Sequence, residues 1–293
     1  MSQTLDNLFN NYYLFSLFIG LIGLMIGSFL NVAIYRLPIM LQNEWRSECL
    51  EYLQITSEVT TPPKKLFNLA IPHSHCPKCE SAIKPHQNIP VLSYIFLKGR
   101  CANCKTEIPI RYPFVEILTT VLSIIVAMHF GYSTHTFFAL ILTWGLITLS
   151  FIDIDYQLLP DNITQPLLWL GLFLSLFNLF STSTDSVIGA ISGYLSLWLV
   201  FHGFKLITGK DGMGFGDFKL LAVFGAWLGW HFLPLIILLS SLVGTLIGLI
   251  MISLNKRDHS SPFPFGPYLA IAGWLALLWG EELNQFYFSA FGL

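Results

Sequence analysis

Aspartate residues stand within apolar sequence at two places that lie far apart in the chain. Asp153 and Asp155 belong to the segment 151–161, and Asp217 ends the segment 212–217. Ionisable residues in membrane-spanning sequence are costly to bury and usually functional. Two carboxylates that are brought together share one proton, so the ionised member can activate water while the protonated member donates to a peptide carbonyl. The pattern indicates that Asp153 and Asp217 form an aspartic dyad for peptide hydrolysis.

Other roles are possible for the aspartates in these two segments. Asp161 follows Pro160 at an expected helix start, where it could serve as the N-cap. Asp155 could be a solvated charge at the membrane surface, or it could support the site. Asp217 could be neutralised by Lys219 or could cap the helix that follows. A proton or cation pathway would also use carboxylates at these positions.

Glycine residues precede Asp217 at positions 212, 214 and 216. Because glycine has no β-carbon, Gly214 and Gly216 would let the backbone come close to an extended peptide. A nucleotide-binding loop is the alternative interpretation. These glycines lack the spacing of such a loop, and they follow a predicted membrane helix rather than a strand.

Two Cys-x-x-Cys pairs, Cys76 with Cys79 and Cys101 with Cys104, are separated by twenty-one residues. This arrangement is a strong zinc signature, in which each pair supplies two thiolates to one tetrahedral ion. Four thiolates fill the coordination sphere, so the ion would be structural rather than catalytic. A redox dithiol is the alternative, and disulfides are the weaker interpretation for the reducing cytoplasm.

The sequence around the cysteines bears on how this segment folds. His73 and His75 lie beside the first pair and could replace a cysteine as ligand. The segment has few large apolar residues for its length. Metal binding can supply of the order of 10 kcal/mol of folding free energy to such a module.

The elements that would position all these residues are membrane helices. Charged residues make up 11% of the chain and hydrophobic residues 54%, whereas soluble domains carry about 25% charged residues. A spanning helix needs about 20 mainly apolar residues. Eight segments qualify, near 12–35, 113–131, 136–154, 163–182, 186–207, 217–232, 234–254 and 264–280. The first is too long for the core of a signal peptide and is expected to be retained.

Two details of helix packing follow from small residues and turn residues. The uncharged stretch 220–255 is too long for one helix, and the segment 229–234 is predicted to divide it. Glycines spaced four residues apart, at 23 and 27 and at 244 and 248, predict close contact between helices.

The orientation follows from the basic residues. Ten of the fifteen lie in the segment 36–111. Cytoplasmic loops of membrane proteins carry an excess of such residues. The predicted fold is therefore an all-α polytopic membrane protein with about eight transmembrane helices and a cytoplasmic zinc-binding insert between the first and second. Its parts are a first helix (1–35), the insert (36–111) and a seven-helix core (112–293). Both aspartates are predicted at the cytoplasmic ends of helices. The sequence contains no basic tail of the kind that would indicate nucleic-acid binding.

Six motifs are spread along nearly the whole chain. They are Gly27-Ser-Phe-Leu-Asn-Val-Ala-Ile-Tyr-Arg-Leu-Pro38, the two cysteine pairs, Ile110-Arg-Tyr-Pro-Phe-Val-Glu116, Asp153-x-Asp155 followed by Pro160-Asp161, Gly214-x-Gly216-Asp217-x-Lys219, and Pro264-Phe-Gly-Pro-Tyr268. Together they resemble the bacterial type IV prepilin peptidases, also called prepilin leader peptidase/N-methyltransferases. Gly-x-Gly-Asp alone is less specific, since it also occurs in presenilin-like intramembrane proteases.

The resemblance implies a set of site residues. The catalytic aspartates of the family fall on Asp153 and Asp217, and its zinc-type cysteines fall on the two pairs. Supporting roles near the dyad are expected for Asp155, Gly214, Gly216 and Lys219. Gly99 and Arg100 are candidate contacts for a methyl donor, although they could be only a basic loop.

The resemblance also implies the reaction. An aspartic endopeptidase of the bacterial inner membrane would remove the short basic leader of type IV prepilins and pseudopilins at the cytoplasmic face. It would then N-methylate the new N-terminus with S-adenosylmethionine. Its partners would be these substrates and membrane lipid, and its roles would lie in pilus biogenesis and type II secretion.

Two other hypotheses stay open on sequence alone. The chain could be a methyltransferase in which the aspartates are structural. It could also be a transporter that uses Asp153 and Asp217 as a relay, with the zinc module as scaffold. A transporter would place its carboxylates near the middle of the bilayer, whereas both are predicted at one interface.

Overall fold

A computed structural model describes residues 12–54, 67–210, 212–253 and 264–291. Within those residues the chain is helical, with two short 3-10 turns and two isolated β-bridges. The helices are α1 (Tyr12–Tyr52), α2 (Leu92–Phe96), α3 (Arg111–Phe130), α4 (Thr134–Tyr156), α5 (Asp161–Ser175), α6 (Ser183–Thr208), α7 (Phe215–Leu228), α8 (Leu233–Ser253) and α9 (Gly266–Phe291). The all-α prediction is confirmed for this part of the chain. Lys256 and Arg257, two of the fifteen basic residues, lie outside it.

Five helices are long and apolar enough to cross a membrane. They are α1, α3, α4, α6 and the segment 230–250, which contains most of α8. The helices α5 and α7 have 15 and 14 residues and are about 20 Å long, whereas the hydrocarbon core is about 30 Å thick. The structure thus supports a membrane protein with five candidate spans, and the count of eight stays a prediction.

The predicted division of the stretch 220–255 is confirmed. α7 ends at Leu228, and Gly229 has a φ of 83° that suits glycine. A 3-10 turn over Trp230–Phe232 follows, and α8 begins at Leu233. One uncharged run therefore forms two helices because a glycine with a positive φ ends the first.

Helix α1 extends well beyond the predicted end at residue 35. It has 41 residues and includes Pro38, so it is about 60 Å long, twice the thickness of a hydrocarbon core. Its second half contains several leucine, glutamate and arginine residues, which are all good helix formers. The charges at Arg36 and beyond end the apolar sequence but not the helix.

The chain divides into two compact units, 1–132 and 133–293. In the first unit, α1 and α3 pack closely through glycines of α1. A β-carbon at Gly23 would lie 2.8 Å from Ser123 Oγ, and one at Gly27 would lie 2.8 Å from the Cα of Glu116. Close packing at these two positions is therefore confirmed. At the second predicted pair it is not confirmed, because a β-carbon at Gly244 would make only ordinary contacts and no described atom lies within 4 Å of a β-carbon at Gly248.

In the second unit, α7 lies among the other helices. Every residue from Leu220 to Leu228 is buried, as expected for a helix that is apolar on all sides. Trp227 Nε1 donates to the Leu167 carbonyl of α5 at 2.8 Å. A β-carbon at Gly193 of α6 would lie 2.8 Å from the Leu221 carbonyl oxygen, so the backbones of α6 and α7 are in direct contact.

The contact between α6 and α7 gives a prediction on stability. A β-carbon at Gly189 of α6 would overlap the carbonyl oxygen of Gly225 in α7. Because backbone atoms cannot move aside as a side chain can, we expect Gly189→Ala to lower the free energy of unfolding by about 3 kcal/mol or more. The measurement is thermal unfolding of the purified protein in detergent.

Gly203→Ala is the matched control, since Gly203 belongs to the same helix and no described atom lies within 4 Å of the added carbon. Alanine favours a helix over glycine, so this variant should be as stable as the parent or gain about 0.5–1 kcal/mol. Equal melting of the two variants would contradict the close approach of α6 and α7.

Candidate functional site

Asp153 lies in the last turn of α4 and is 5% exposed. The helix ends beyond it at Gln157, which adopts the left-handed conformation. Asp153 Oδ2 accepts a hydrogen bond of 2.9 Å from the backbone N–H of Gly266, the first residue of α9. N–H groups at a helix N-terminus favour a negative charge. The start of α9 therefore stabilises the ionised form of this carboxylate.

Asp217 lies in the first turn of α7 and is 6% exposed. Its carboxylate is hydrogen-bonded to the backbone of Gly214, the N-cap of α7. The other oxygen, Oδ1, is buried and has no hydrogen-bond partner among the described residues. Buried polar atoms are nearly always paired, and an unpaired one costs free energy. This oxygen is thus available to a proton, a water molecule or a substrate group.

The structure brings the two carboxylates together although they are 64 residues apart. Asp153 lies close enough to Asp217 for the two carboxyl groups to interact electrostatically. Leu159 lies against both sides of the site, because β-carbons built at Gly216 and Gly266 would be 2.7 Å and 3.2 Å from its atoms. Helices α4, α7 and α9 therefore meet at one buried pair of carboxyl groups.

The two glycines before Asp217 differ in what surrounds them. Gly216 is required by the close approach of Leu159, which lies within the protein. The nearest atom to a β-carbon at Gly214 is Asp217 Oδ2, at 3.7 Å. Both glycines were predicted to let a peptide backbone approach. At Gly216 this prediction has no support, because Leu159 fills the space. At Gly214 it stays a prediction.

Lys219 does not neutralise Asp217. Its Nζ donates to both carboxylate oxygens of Asp161, at 2.7 and 2.8 Å. Asp161 is the first residue of α5 and not its N-cap, which is Pro160. The ion pair therefore joins the start of α5 to the first turn of α7 and leaves the dyad outside it.

Asp155 is an exposed residue of α4, two positions after Asp153. Residues two apart on a helix point in different directions. Its exposure fits the interpretation as a solvated charge, and the support that it was expected to give to the dyad stays a prediction.

The four cysteines of the two pairs form one cluster in the first unit. Their sulfur atoms all lie within 4.8 Å of one another. Two of the separations are 3.8 Å, between Cys76 and Cys104, and 4.0 Å, between Cys79 and Cys101. A tetrahedral zinc site with Zn–S distances of about 2.3 Å has edges of about 3.8 Å. The cluster is therefore compatible with a zinc ion, and neither His73 nor His75 belongs to it.

The two cysteine pairs have the same local structure. The backbone N–H of the first cysteine donates to the residue five positions later, Ser81 in one pair and Thr106 in the other. The hydroxyl of that residue lies 3.0 Å from Cys79 Sγ and 3.3 Å from Cys104 Sγ. The hydrogen bond from Ser81 lowers the pKa of Cys79 to about 6, which favours the thiolate that binds metal.

Gly99 and Arg100 have structural contacts beside the second pair. Gly99 has a φ of 67°, and its carbonyl accepts the N–H of Ile108 at 2.8 Å. Arg100 pairs with Glu107 in an isolated β-bridge. These contacts explain the two residues as part of the turn that presents Cys101, and contact with a methyl donor stays a prediction.

Two residues of functional interest were not identified from the sequence. Gly266 belongs to the quoted motif 264–268, and a glycine just before a proline at a helix start is the signal that could have indicated its role. Arg36 was predicted only to contribute to the positive charge that orients the protein in the membrane. It is buried and donates to the carbonyls of Asn68, Leu69 and Pro72, so it ties α1 to the segment just before the first cysteine pair.

Comparisons with known proteins cover both units. Residues 21–130 match the Bacterial Peptidase A24 N-terminal domain, and residues 140–249 match the Type IV leader peptidase family. The division between the two units, after residue 132, falls between these segments.

Similar curated proteins match over nearly their whole length. A prepilin leader peptidase/N-methyltransferase of Stutzerimonas stutzeri is 53% identical over 91% of both chains. That of Pseudomonas aeruginosa is 51% identical over 98% of both chains. The protein of the same name from Legionella pneumophila is 47% identical over 92% of this chain and 93% of its own. No solved structure matches the chain.

Proposed function

The chain belongs to the type IV leader peptidase family, and from this we propose that it cleaves prepilins and pseudopilins and N-methylates the mature N-terminus. It is an aspartic endopeptidase and an N-methyltransferase. The observation that carries the peptidase assignment is the buried pair Asp153 and Asp217, in which one oxygen has no hydrogen-bond partner within the described part of the chain. The substrate assignment is supported by the name of the relatives, prepilin leader peptidase/N-methyltransferase.

Each aspartate has a distinct role in this proposal. Asp153, which accepts the N–H of Gly266, is the ionised member and takes a proton from water. Asp217 holds the shared proton and donates it to the oxygen of the scissile carbonyl as the water oxygen attacks the carbon. When the tetrahedral intermediate collapses, Asp153 gives its proton to the leaving nitrogen, and Asp217 recovers a proton from the hydroxyl group. Atoms and charges balance, and no covalent enzyme intermediate forms.

The position of the dyad suits a substrate that is itself anchored in the bilayer. Asp153 lies in the last turn of α4, which is long enough to span a membrane. A prepilin carries a short basic leader ahead of an apolar helix, so its scissile bond lies where that helix leaves the lipid. The basic residues of the segment 36–111 favour the cytoplasmic side of the inner membrane for this end.

Two further groups belong to the proposed function. The four cysteines hold a structural zinc ion, whose site has no free position for water. S-adenosylmethionine, when bound, supplies the methyl group for the new N-terminal amine. Gly99 and Arg100 stay the candidate contacts for it within the insert.

The decisive experiment incubates the purified protein in detergent with a purified prepilin and S-adenosylmethionine. We expect release of one leader peptide and a methylated N-terminus on the mature pilin, both identified by mass spectrometry. A double variant, Asp153→Asn with Asp217→Asn, should still methylate a pilin that was cleaved beforehand. An intact prepilin after long incubation with the wild-type protein would refute the peptidase, and cleavage by the double variant at a rate close to that of the wild type would refute the dyad.

Gly266 gives a separate prediction about the geometry of the dyad. A β-carbon there would lie 2.7 Å from Asp153 Oδ2, so Gly266→Ala should push the carboxylate away from its hydrogen bond. A displacement of about 1 Å can lower catalysis about 100-fold, and we expect a loss of that size in kcat for leader removal. The measurement is the rate of cleavage at saturating prepilin.

Gly248→Ala is the control, because no described atom lies within 4 Å of the added carbon and the position is remote from the dyad in the chain. Its cleavage rate should equal that of the wild type. Retained methylation by Gly266→Ala would show that the variant is folded. A wild-type rate of cleavage by Gly266→Ala would contradict the role of this backbone N–H.

A further inference from the structure

The short helix α2 presents a face of large apolar side chains. Leu92, Ile95 and Phe96 stand at spacings of three and four residues, so they lie on one side of the helix. They are 50%, 62% and 82% exposed. A contiguous exposed apolar face on one helix marks a site that contacts another molecule or a membrane.

A buried carboxylate fixes where this helix lies. Glu116 is in the second turn of α3, and its Oε2 accepts the N–H of Val91 at 2.7 Å. Val91 directly precedes α2 and has a φ of 59°, an unfavourable conformation for a β-branched residue. The hydrogen bond therefore holds the start of α2 against α3 in a conformation that the free chain would not favour.

This contact places α2 near the first residues of a candidate span. Glu116 is five residues after Arg111, where α3 begins, which corresponds to about 8 Å along the helix. Helical side chains tilt toward the N-terminus, so the carboxylate lies closer to that end still. The polar layer on each side of a bilayer is about 5–8 Å thick. The apolar face of α2 is therefore held at the depth of the membrane surface.

The neighbouring sequence continues this surface and gives it a positive charge. Ile110 and Phe114 at the start of α3 are also largely exposed. Between residues 84 and 111 there is one acidic residue and five basic ones, namely Lys84, Lys98, Arg100, Lys105 and Arg111. An apolar face within basic sequence is the composition of segments that lie in the interface of anionic membranes.

We propose that α2 docks onto the lipid surface beside α3, with Leu92, Ile95 and Phe96 among the acyl chains and the basic residues at anionic headgroups. α2 leads directly into the second cysteine pair, since Gly99 donates to the Tyr94 carbonyl at 2.9 Å. Docking would thus hold the zinc module at the membrane surface. This inference does not depend on the proposed peptidase chemistry.

The test uses the full chain in vesicles of phosphatidylethanolamine and phosphatidylglycerol, with the photoreactive residue benzoylphenylalanine in place of Phe96. We expect covalent lipid adducts, identified by mass spectrometry after irradiation. Leu53 is the matched control, because it is 61% exposed and follows a helix that is about 60 Å long, twice the lipid core. Label at position 96 should give several-fold more lipid adduct than label at position 53.

Two outcomes would overturn the proposal. One is equal lipid labelling at the two positions, and the other is labelling at position 96 mainly of a second copy of this chain or of a prepilin.

The role of the buried carboxylate of Glu116 is tested by Glu116→Ala and Glu116→Gln, each made in the protein that carries the photoreactive residue at position 96. Alanine should reduce lipid labelling several-fold, whereas the glutamine oxygen can still accept the N–H of Val91 and should preserve it. Equal labelling in both would refute the tether, and the comparison of positions 96 and 53 stands even if the alanine variant does not fold.

Discussion

Replacing either Asp153 or Asp217 by asparagine is expected to lower the rate of leader removal by about 1,000-fold or more. Each carboxyl group acts once as acid and once as base in the proposed cycle, and one such group contributes about 100- to 10,000-fold. Asparagine has nearly the same size and can form similar hydrogen bonds, but it cannot exchange a proton. The measurement is the single-turnover rate of prepilin cleavage in detergent, followed by the release of the leader.

The double variant distinguishes a dyad from two independent residues. Groups that act as one unit are strongly non-additive, so the double variant should be no slower than the slower single variant. Multiplication of the two single losses would contradict a shared proton. Because both carboxylates are buried and close, removing one charge should leave the melting temperature unchanged or raise it. Lower stability would instead mean that the loss of activity reflects unfolding.

Asp161→Asn provides the matched control beside the site. Its carboxylate pairs with Lys219, and the Asp161 side chain is 56% exposed. Exposed ion pairs contribute about 0–1 kcal/mol, so this variant should keep leader removal within about fivefold of the wild-type rate. A loss as large as that of the dyad variants would mean that Lys219 and Asp161 take part in the chemistry.

The sequence predicts the helices well and their ends poorly. Long apolar runs identify every described helix except the short α2, because lipid or a buried core excludes charges from them. The ends depend on tertiary contacts. α7 is short because Gly229 ends it while the apolar sequence continues, and α1 is long because its helix-forming residues extend past the point where the apolar run ends. Hydropathy therefore locates the membrane segment, whereas capping and helix propensity locate the helix.

In the candidate site, too, the sequence predicts individual residues better than it predicts contacts between distant segments. Asp153 and Asp217 are identifiable because both are acidic residues at the ends of apolar helices. The partner of Lys219 cannot be identified in this way. Lys219 is only two residues from Asp217 in sequence, but side chains two residues apart face different directions on α7. The N–H of Gly266 is a backbone group from a helix 113 residues beyond Asp153, and no side-chain pattern predicts such a contact.

Loss of the metal from the cysteine cluster is expected to unfold the segment 67–110 locally. In this segment, which the structure describes in full, Cys76 and Gly99 are the buried residues, and all others are at least partly exposed. No apolar core can therefore replace the folding free energy of the metal, which is of the order of 10 kcal/mol for such modules. We expect Cys76→Ser with Cys79→Ser to lose bound zinc, measured by elemental mass spectrometry, and to lose amide protection in residues 67–110, measured by hydrogen exchange.

Cys49→Ser is the matched control, since Cys49 is an exposed thiol of α1 outside the cluster. It should retain one zinc ion per chain and wild-type amide protection. In the double cysteine variant the second unit should keep its protection, because the dyad and the helices that carry it lie in residues 133–293. Stoichiometric zinc without the four cysteines would show that the ion binds elsewhere. Unchanged protection of residues 67–110 after zinc loss would show that these residues fold without a metal, despite their lack of a core.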